Sequence, residues 1–453
     1  MIKLKKVLVL GAGMIAGPHI NYLLDHNFEV KVASRTLSKA QKLIGNHPKG
    51  TAIEFDINKT PEKLEALVEN CDIAVSLLPY IYHVDVAKQC IRHKKHMVTT
   101  SYVSPEMRKL QQQVEEANIT ILNEIGVDPG IDHMSAQKII DSIHARNGKV
   151  LSFTSYTGGL PAPDANTNPW GYKLSWSPRG VILAGRNAAK YLKDGKVIEI
   201  PGEELFDHYS PYPVKEKGPG DKKELGMLEG YPNRNSIEPY IDIYQIPETQ
   251  TMIRGTLRNP GWCRTMKKIA DVGYLKLEEE EFPDGFTYKN LTNKLLGAKK
   301  DSNAKNNLMK KFSLKENDDI IVRFEWMGLL GETPLPKKKI SPLDTLCAQF
   351  EANLQYALGE RDMLVMVHQF IYQLADEKKE QLTSTMIDYG IPNGASSMSR
   401  TVGLPAAIGV RMILENQITA RGILIPVEKS IYEPILKELS ELGIRFKERV
   451  ISL

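Results

Sequence analysis

Between Lys6 and Arg35 the chain runs strand, glycine turn, helix start and second strand, an order that leaves few folds open. The apolar run Lys6–Leu10 meets Gly11-Ala12-Gly13-Met14-Ile15-Ala16-Gly17, and the next strand pattern, Glu29–Ala33, leads into Ser34-Arg35-Thr36. Glycines in such a turn let backbone approach a pyrophosphate, and the helix start beyond them presents unpaired N–H groups to its charge. Ala16 stands at the third glycine position, where alanine is tolerated. A dinucleotide strand ending in Asp or Glu holds the ribose 2′-hydroxyl of NAD; here Ser34 and Arg35 occupy that place. A hydroxyl and a guanidinium suit a 2′-phosphate instead, so the expected cofactor is NADP(H). Lys39, one turn further, is a second candidate for that phosphate. The alternative is that Arg35 is a solvated surface arginine and Lys39 only decorates its helix. Gly11, Ala12, Gly13, Met14, Ile15, Ser34, Arg35, Thr36 and Lys39 are therefore the first candidate cofactor residues.

The alternation continues. Thr51–Asp56, Asp72–Leu78, His96–Thr100 and Ile119–Asn123 read as four further strands, with helical patterns such as Pro105–Ala117 between them. The near-continuous apolar character of Asp72–Leu78 is that of a strand buried on both faces. The expected fold class is α/β: a Rossmann-type doubly wound parallel sheet, with a second α/β domain carrying a mixed sheet and a helical insertion. Residues 1–130 would form the dinucleotide-binding domain, completed by 395–453, where Ser397–Leu414 reads as a small-residue-rich helix. Residues 131–259 and 316–394 would form the substrate-binding and dimerisation domain. Its expected strands are Val150–Tyr156, Gln250–Leu257, Asp319–Glu325 and Leu364–Phe370. Residues 260–315 would be the helical insertion, with helix-like spacing around Met266–Ile269 and Leu291–Leu296.

Composition narrows the function. With 453 residues, 42% hydrophobic and 25% charged, the chain suits a globular protein of two or three domains. A formal net charge of +4 is slight at this length, and no basic run interleaves with aromatics, so nucleic acid is not an expected partner. The runs Lys337–Lys339 and Glu278–Glu281 read as solvated faces. No stretch of about eighteen apolar residues suggests a membrane span, and no charged-then-apolar leader is evident. Cys71, Cys90, Cys263 and Cys347 have neither metal spacing nor a paired framework, and the ten histidines form no cluster. The expectation is a cytoplasmic protein without a metal.

Polar segments at successive strand ends are where ligands of such a sheet gather. Ser76–Tyr80 closes the fourth strand, Thr100-Ser101-Tyr102 the fifth, and Glu124–His133 the sixth. Asp56, at the end of the third strand, joins the cofactor candidates. The second domain adds Gly158–Pro163, Asn168–Pro178 with Ser175 and Trp176, Tyr231–Arg234, and Arg254–Arg258. Arginines beside Gly and Pro turns are candidates to hold carboxylates, a surface salt bridge being the alternative for Arg258 above all.

These motifs resemble the glutamate-forming saccharopine dehydrogenases, or saccharopine reductases, of lysine metabolism. The resemblance covers essentially the whole chain, down to Glu325–Gly331 and Thr401–Pro405. It implies saccharopine contacts at Ser101, Tyr102, Arg234, Gly255, Thr256 and Leu257, with Ser175, Trp176 and Arg258 as further substrate candidates. It implies cofactor contacts at the glycine turn, the second-strand tip, Leu78, Thr100 and Asp128. Animal bifunctional enzymes carry an Asp at the second-strand tip and resemble NAD users, whereas Ser34-Arg35 looks like the fungal, NADP-using type. Trp170 stands where a smaller apolar residue is expected after Asn168-Pro169. The implied reaction is reversible reductive condensation of glutamate with 2-aminoadipate 6-semialdehyde. Tyr102 and Asp128 are the candidate catalytic pair. No His or Lys stands out for proton transfer, so positioning and a bound water are expected to carry much of the work. The other readings are a carboxynorspermidine or homospermidine synthase-like enzyme, and a non-catalytic NADPH-binding regulator. Expected partners are small-molecule substrates and a second copy of the chain.

Overall fold

Strands with few polar residues need cover on both faces, and the first part of this chain alternates them with amphipathic helices that provide it. In the computed structural model, which describes residues 4–453, two units separate: residues 4–147 with 394–445, and residues 148–393 with 446–453. In chain order the first six strands are β1 (Lys6–Leu10), β2 (Glu29–Ser34), β3 (Gly50–Glu54), β4 (Ile73–Ser76), β5 (His96–Thr99) and β6 (Thr120–Leu122). Between and after them lie α1 (Ala16–Asp25), α2 (Leu37–Ile44), α3 (Lys63–Glu69), α4 (His83–Arg92), α5 (Pro105–Arg108), α6 (Gln111–Glu116) and α7 (Ile131–His144).

The second unit contributes β7 (Lys149–Pro161), α8 (Pro178–Ala184), β8 (Ala189–Lys193), β9 (Lys196–Ile200), β10 (Ser210–Val214), β11 (Gly226–Pro232), α9 (Tyr240–Ile243) and β12 (Thr251–Arg258). Then follow α10 (Trp262–Val272), β13 (Glu280–Glu281), α11 (Tyr288–Leu295), α12 (Ala304–Phe312), α13 (Asp319–Trp326), β14 (Lys339–Ile340) and α14 (Pro342–Asn353). The long hairpin β15 (Asp362–Gln373) and β16 (Lys379–Tyr389) precedes α15 (Ser397–Leu414), β17 (Gly422–Leu424), α16 (Lys429–Glu441) and β18 (Phe446–Ser452).

The first unit holds a seven-stranded sheet in the order β17-β6-β5-β4-β1-β2-β3, parallel throughout. All four residues of β4 are buried, as its apolar run requires. The order reverses beside β1, between β2 and β4, the switch point at which such sheets bind ligands beyond their carboxyl ends. The helix α15 has the bounds read from its small-residue run, and β17 extends the sheet beyond β6.

The second unit is built on a mixed sheet, β10-β11-β12-β7-β15-β16-β18, in which β12 and β7 run parallel and the other neighbours antiparallel. Its main apolar core lies among α8 and α10–α14 and gathers Trp170, Tyr172, Trp262, Phe324, Leu346 and Phe350.

Three expectations need correction. Asp319–Glu325 is the helix α13, not a strand: Asp318 caps it by accepting from the Ile320 N–H, and Ile320, Ile321 and Phe324 form its buried stripe. A short apolar run fits either period, and here the i, i+1, i+4 spacing governs. The helical layer consequently reaches α14 rather than ending near residue 315. Last, the chain end does not stay with the first unit, because β18 pairs with β16; conversely α7, beyond residue 130, belongs to the first unit. Among the described residues no helix is long and apolar enough to cross a membrane.

Candidate functional site: strand ends of the first unit and a polar strand pair of the second

The glycine turn is shaped by what a side chain would strike. Gly11 has φ +114°, and a Cβ there would lie 2.9 Å from the Leu77 carbonyl oxygen, while its N–H donates to the Ala33 carbonyl at 2.8 Å. A Cβ at Gly13 would meet nothing within 4 Å, so backbone faces open space there. Ile15 occupies the cap of α1 and offers no side-chain acceptor, which leaves amides of the first turn for an outside anion. Met14 is exposed at 57%. At the tip of β2, Thr36 begins α2, and its N–H approaches Ser34 Oγ at 3.3 Å. Arg35 and Lys39 are exposed, and neither side chain has a hydrogen bond or ion pair among the described residues. Asp56 follows β3 half-buried and accepts from the Asn58 N–H at 3.0 Å. An open backbone cradle, uncapped amides and two unpaired cations fit a dinucleotide bearing a 2′-phosphate.

Further along the same sheet edge, the ends of β4, β5 and β6 are joined by polar contacts. His83, at the start of α4, lies between them: Nδ1 is 2.8 Å from Ser76 Oγ, and Nε2 is 2.8 Å from Ser101 Oγ and 3.1 Å from Thr99 Oγ1. It is 4% exposed, and burial pushes the imidazole down to about 4, so the ring is neutral near neutral pH. The Glu124 N–H donates to the Ser101 carbonyl at 3.1 Å, and the Val103 N–H donates to Glu124 Oε1 at 3.0 Å. Glu124 Oε2 in turn meets His133 Nε2 at 2.8 Å inside the unit. These contacts fix the Ser101–Val103 segment against the loop after β6. On that platform the Tyr102 hydroxyl donates to Asp128 Oδ1 at 3.0 Å. Leu78 and Thr100 are half-buried on the same edge. The structure therefore gathers Leu78, Thr100, Ser101, Tyr102 and Asp128, and adds His83, Glu124 and His133. His83 is a residue that the sequence reading did not single out.

In the second unit the polar pair is β11 and β12. Asn233, just past β11, donates through Nδ2 to Thr256 Oγ1 at 2.5 Å and accepts from Arg234 Nε at 2.9 Å. One side chain thus joins two residues read separately from the sequence. Gly255 admits no Cβ: it would fall 2.4 Å from both the Tyr156 ring and the Tyr231 carbonyl. Leu257 is fully buried in the sheet core. Arg258 is 6% exposed; its guanidinium lies over the rings of Tyr172 and Trp262, at 5.2 and 5.4 Å, and Nη1 donates to the Leu257 carbonyl. Ser175 is buried, with no partner for Oγ among the described residues, and Trp176 packs half-buried beside Gly180. Trp170 is core, not site: it is 1% exposed and its Nε1 donates to the Arg323 carbonyl at 3.0 Å. The larger ring is accommodated by edge packing against Trp262 and Phe350.

Two family models between them cover most of the chain. Residues 7–122 match the saccharopine dehydrogenase NADP-binding domain, and residues 126–444 match the saccharopine dehydrogenase C-terminal domain. The saccharopine dehydrogenase [NADP(+), L-glutamate-forming] of Saccharomyces cerevisiae is 42% identical over 459 residues, covering 99% of this chain and 100% of that one. The enzyme of the same name from Pyricularia oryzae is 41% identical, with 99% of each chain covered. An apo structure of the L-Glu-forming Saccharomyces cerevisiae enzyme superposes with a TM-score of 0.86 at 41% identity, covering 99% of this chain and 100% of that one. With both halves matched and the relatives covered end to end, the chain belongs to the saccharopine dehydrogenase family.

Proposed function

We propose that this protein is an NADP(H)-dependent, L-glutamate-forming saccharopine dehydrogenase. In the forward direction the glutamate amine condenses with the aldehyde of 2-aminoadipate 6-semialdehyde, water leaves, and the resulting imine is reduced to saccharopine. NADPH supplies the hydride when bound, and Gly11–Ile15, Ser34, Arg35, Thr36 and Lys39 would hold it, with Asp56, Leu78, Thr100 and Asp128 beside it. The observation that carries the reading is the end-to-end match at 41–42% identity to enzymes of that name.

The geometry supports it from the residues upward. Saccharopine carries three carboxylates and a secondary amine, so its site needs cationic and N–H or O–H donors. In the second unit, Arg234, oriented by Asn233, and the Gly255–Leu257 backbone are the candidate carboxylate donors; in the first unit, Ser101 is. Ser175 and Trp176 are further substrate contacts in this reading, and Arg258 stiffens β12 from within its aromatic packing. Loss of water from the carbinolamine requires proton movement, and the bonded pair Tyr102–Asp128 is the group at hand for it. A homodimer in the cytoplasm completes the proposal; four buried, unpaired cysteines suit a reducing compartment.

The test is saccharopine-dependent reduction of NADP and of NAD, followed by absorbance. Turnover favouring NADP is expected. Turnover favouring NAD would discard the 2′-phosphate site while keeping the substrate. No turnover with either, alongside tight NADPH binding, would leave a regulator that had kept the fold; turnover of a diamine instead would point to the polyamine-forming reading.

A further inference from the structure

The contacts of His83 contain more than a structural tie, because they decide where a proton points. A neutral imidazole has one N–H and one acceptor nitrogen. Around it stand three hydroxyls, Ser76 at Nδ1 and both Ser101 and Thr99 at Nε2. Ser76 and Thr99 are fully buried, with no acceptor for their hydroxyl protons among the described residues other than this ring; Ser101 is half-buried.

Two tautomers place a proton in both of the 2.8 Å contacts. With the ring proton on Nδ1, it goes to Ser76 Oγ, and Nε2 accepts from Ser101. The buried protons of Ser76 and Thr99 are then both left without an acceptor. With the ring proton on Nε2, Ser76 donates to Nδ1 and Nε2–H donates to Ser101 Oγ. Only the Thr99 proton is then left over. Buried donors are rarely left unmet, so the second arrangement wins, one orphan against two. Its consequence is at Ser101. One lone pair of the oxygen is taken from the ring side, which keeps the hydroxyl proton off the ring and turns it to the half-open side of the residue.

We propose that His83 is a positioning residue which, as the Nε2–H tautomer, holds Ser101 as a hydrogen-bond donor toward a carboxylate oxygen of the substrate. This rests on the reading of Ser101 as a substrate contact. A hydroxyl proton held toward the substrate favours an anion there, so the ring contributes to carboxylate binding without touching the substrate.

Steady-state kinetics on the full chain test it, with saccharopine and NADP varied separately. Ser101→Ala is expected to raise the saccharopine KM roughly 10-fold or more with little change in kcat, the loss of one hydrogen bond to a charged group. His83→Leu should raise the same KM similarly, and the double variant should be no worse than Ser101→Ala alone within about a factor of two. His83→Gln, whose amide N–H reaches the place of Nε2–H, should recover most of the loss, and NADPH binding should be unchanged throughout. Should His83→Leu not fold, His83→Asn carries the same test, since its shorter amide reaches the Nδ1 side and leaves Ser101 without its donor. A raised KM in Ser101→Ala with multiplicative effects in the double variant overturns the His83 inference alone, because a merely structural ring would add its damage independently. An unchanged KM in Ser101→Ala removes Ser101 from the substrate site and the inference with it, and absence of saccharopine turnover in the unsubstituted chain does the same through the activity.

Discussion

Acidification should weaken the first unit by an amount that one substitution removes. His19 lies on α1, the helix that starts at the glycine turn, and is fully buried. Its Nδ1 is 3.1 Å from the Gly403 carbonyl of α15, to which the neutral ring donates, while Nε2 has no partner among the described residues. Burial outweighs that hydrogen bond and pushes the imidazole from 6.5 down to about 4. In the unfolded chain the ring takes up a proton as pH falls through its ordinary value; in the folded chain it does so only near the lowered one. The unfolded state therefore binds more protons across that window, and stability present above it is lost as pH falls. The full loss is ~3.4 kcal/mol, of which ~2 kcal/mol has been lost by about pH 5. Urea unfolding at about pH 7.5 and about pH 5, followed by intrinsic fluorescence, measures this for the parent and for His19→Gln. The parent should lose ~2 kcal/mol more than the variant between the two conditions. Carboxylates titrate in both proteins and cancel in the difference. His83 is held down to about the same value, so His83→Gln should remove a similar share. Equal losses in parent and His19→Gln would refute the reasoning, whatever the variant's stability near neutral pH.

Arg35→Asp should shift preference from NADP toward NAD, because it places a negative charge beside the 2′-phosphate site and offers the ribose hydroxyl an acceptor; an unchanged kcat/KM ratio for the two cofactors would show Arg35 to be a bystander. Arg234→Ala should raise the saccharopine KM roughly 10²-fold, the effect of losing a charged contact worth ~3 kcal/mol, and a KM within about twofold of the parent would make it structural. Gly255→Ala should lower stability by about 2 kcal/mol or more in the same urea assay, since the new Cβ would meet the Tyr156 ring and the Tyr231 carbonyl at 2.4 Å. A near-neutral Gly255→Ala would mean that β11 and β12 separate more easily than their close approach implies.

What was legible in the sequence was local. β1 and α15 have the bounds that their apolar and small-residue runs indicate, and β2, β4, β5 and β6 lie within a residue or two of theirs. Each of those segments carries its own period and its own turn signals, so no distant residue has to be known. α13 failed for the opposite reason. Ile320-Ile321-Val322 is a β-branched run, and only the cap at Asp318 and the buried partners of Phe324 decide for a helix. β18 was misassigned because its seven residues, Phe446–Ser452, find their partner in β16, more than fifty positions earlier. No local pattern carries that pairing.

The candidate site divides along the same line. Ser101, Tyr102 and Asp128 could be set side by side from the sequence because each follows a strand, and parallel neighbours β5 and β6 must end at one edge. His83 was passed over because it opens a helix whose other buried residues, Val86, Ala87 and Cys90, mark an ordinary packed face. Its partners Thr99 and Ser101 lie 16 and 18 residues away across a helix and a strand. A signal was nevertheless present: β4 ends in Ser76 and β5 in Thr99, and the sheet order sets those two ends side by side. A histidine in the first turn after β4 then has polar groups on both sides that apolar burial would otherwise strand, so satisfying them is reason enough for a ring there. Asn233 repeats the logic in the second unit, where antiparallel β11 and β12 bring Tyr231 opposite Thr256 and carry the residues just past β11 alongside. Strand pairing turns isolated polar residues into neighbours, and a polar side chain next to a strand end becomes informative only once the adjacent strand is known.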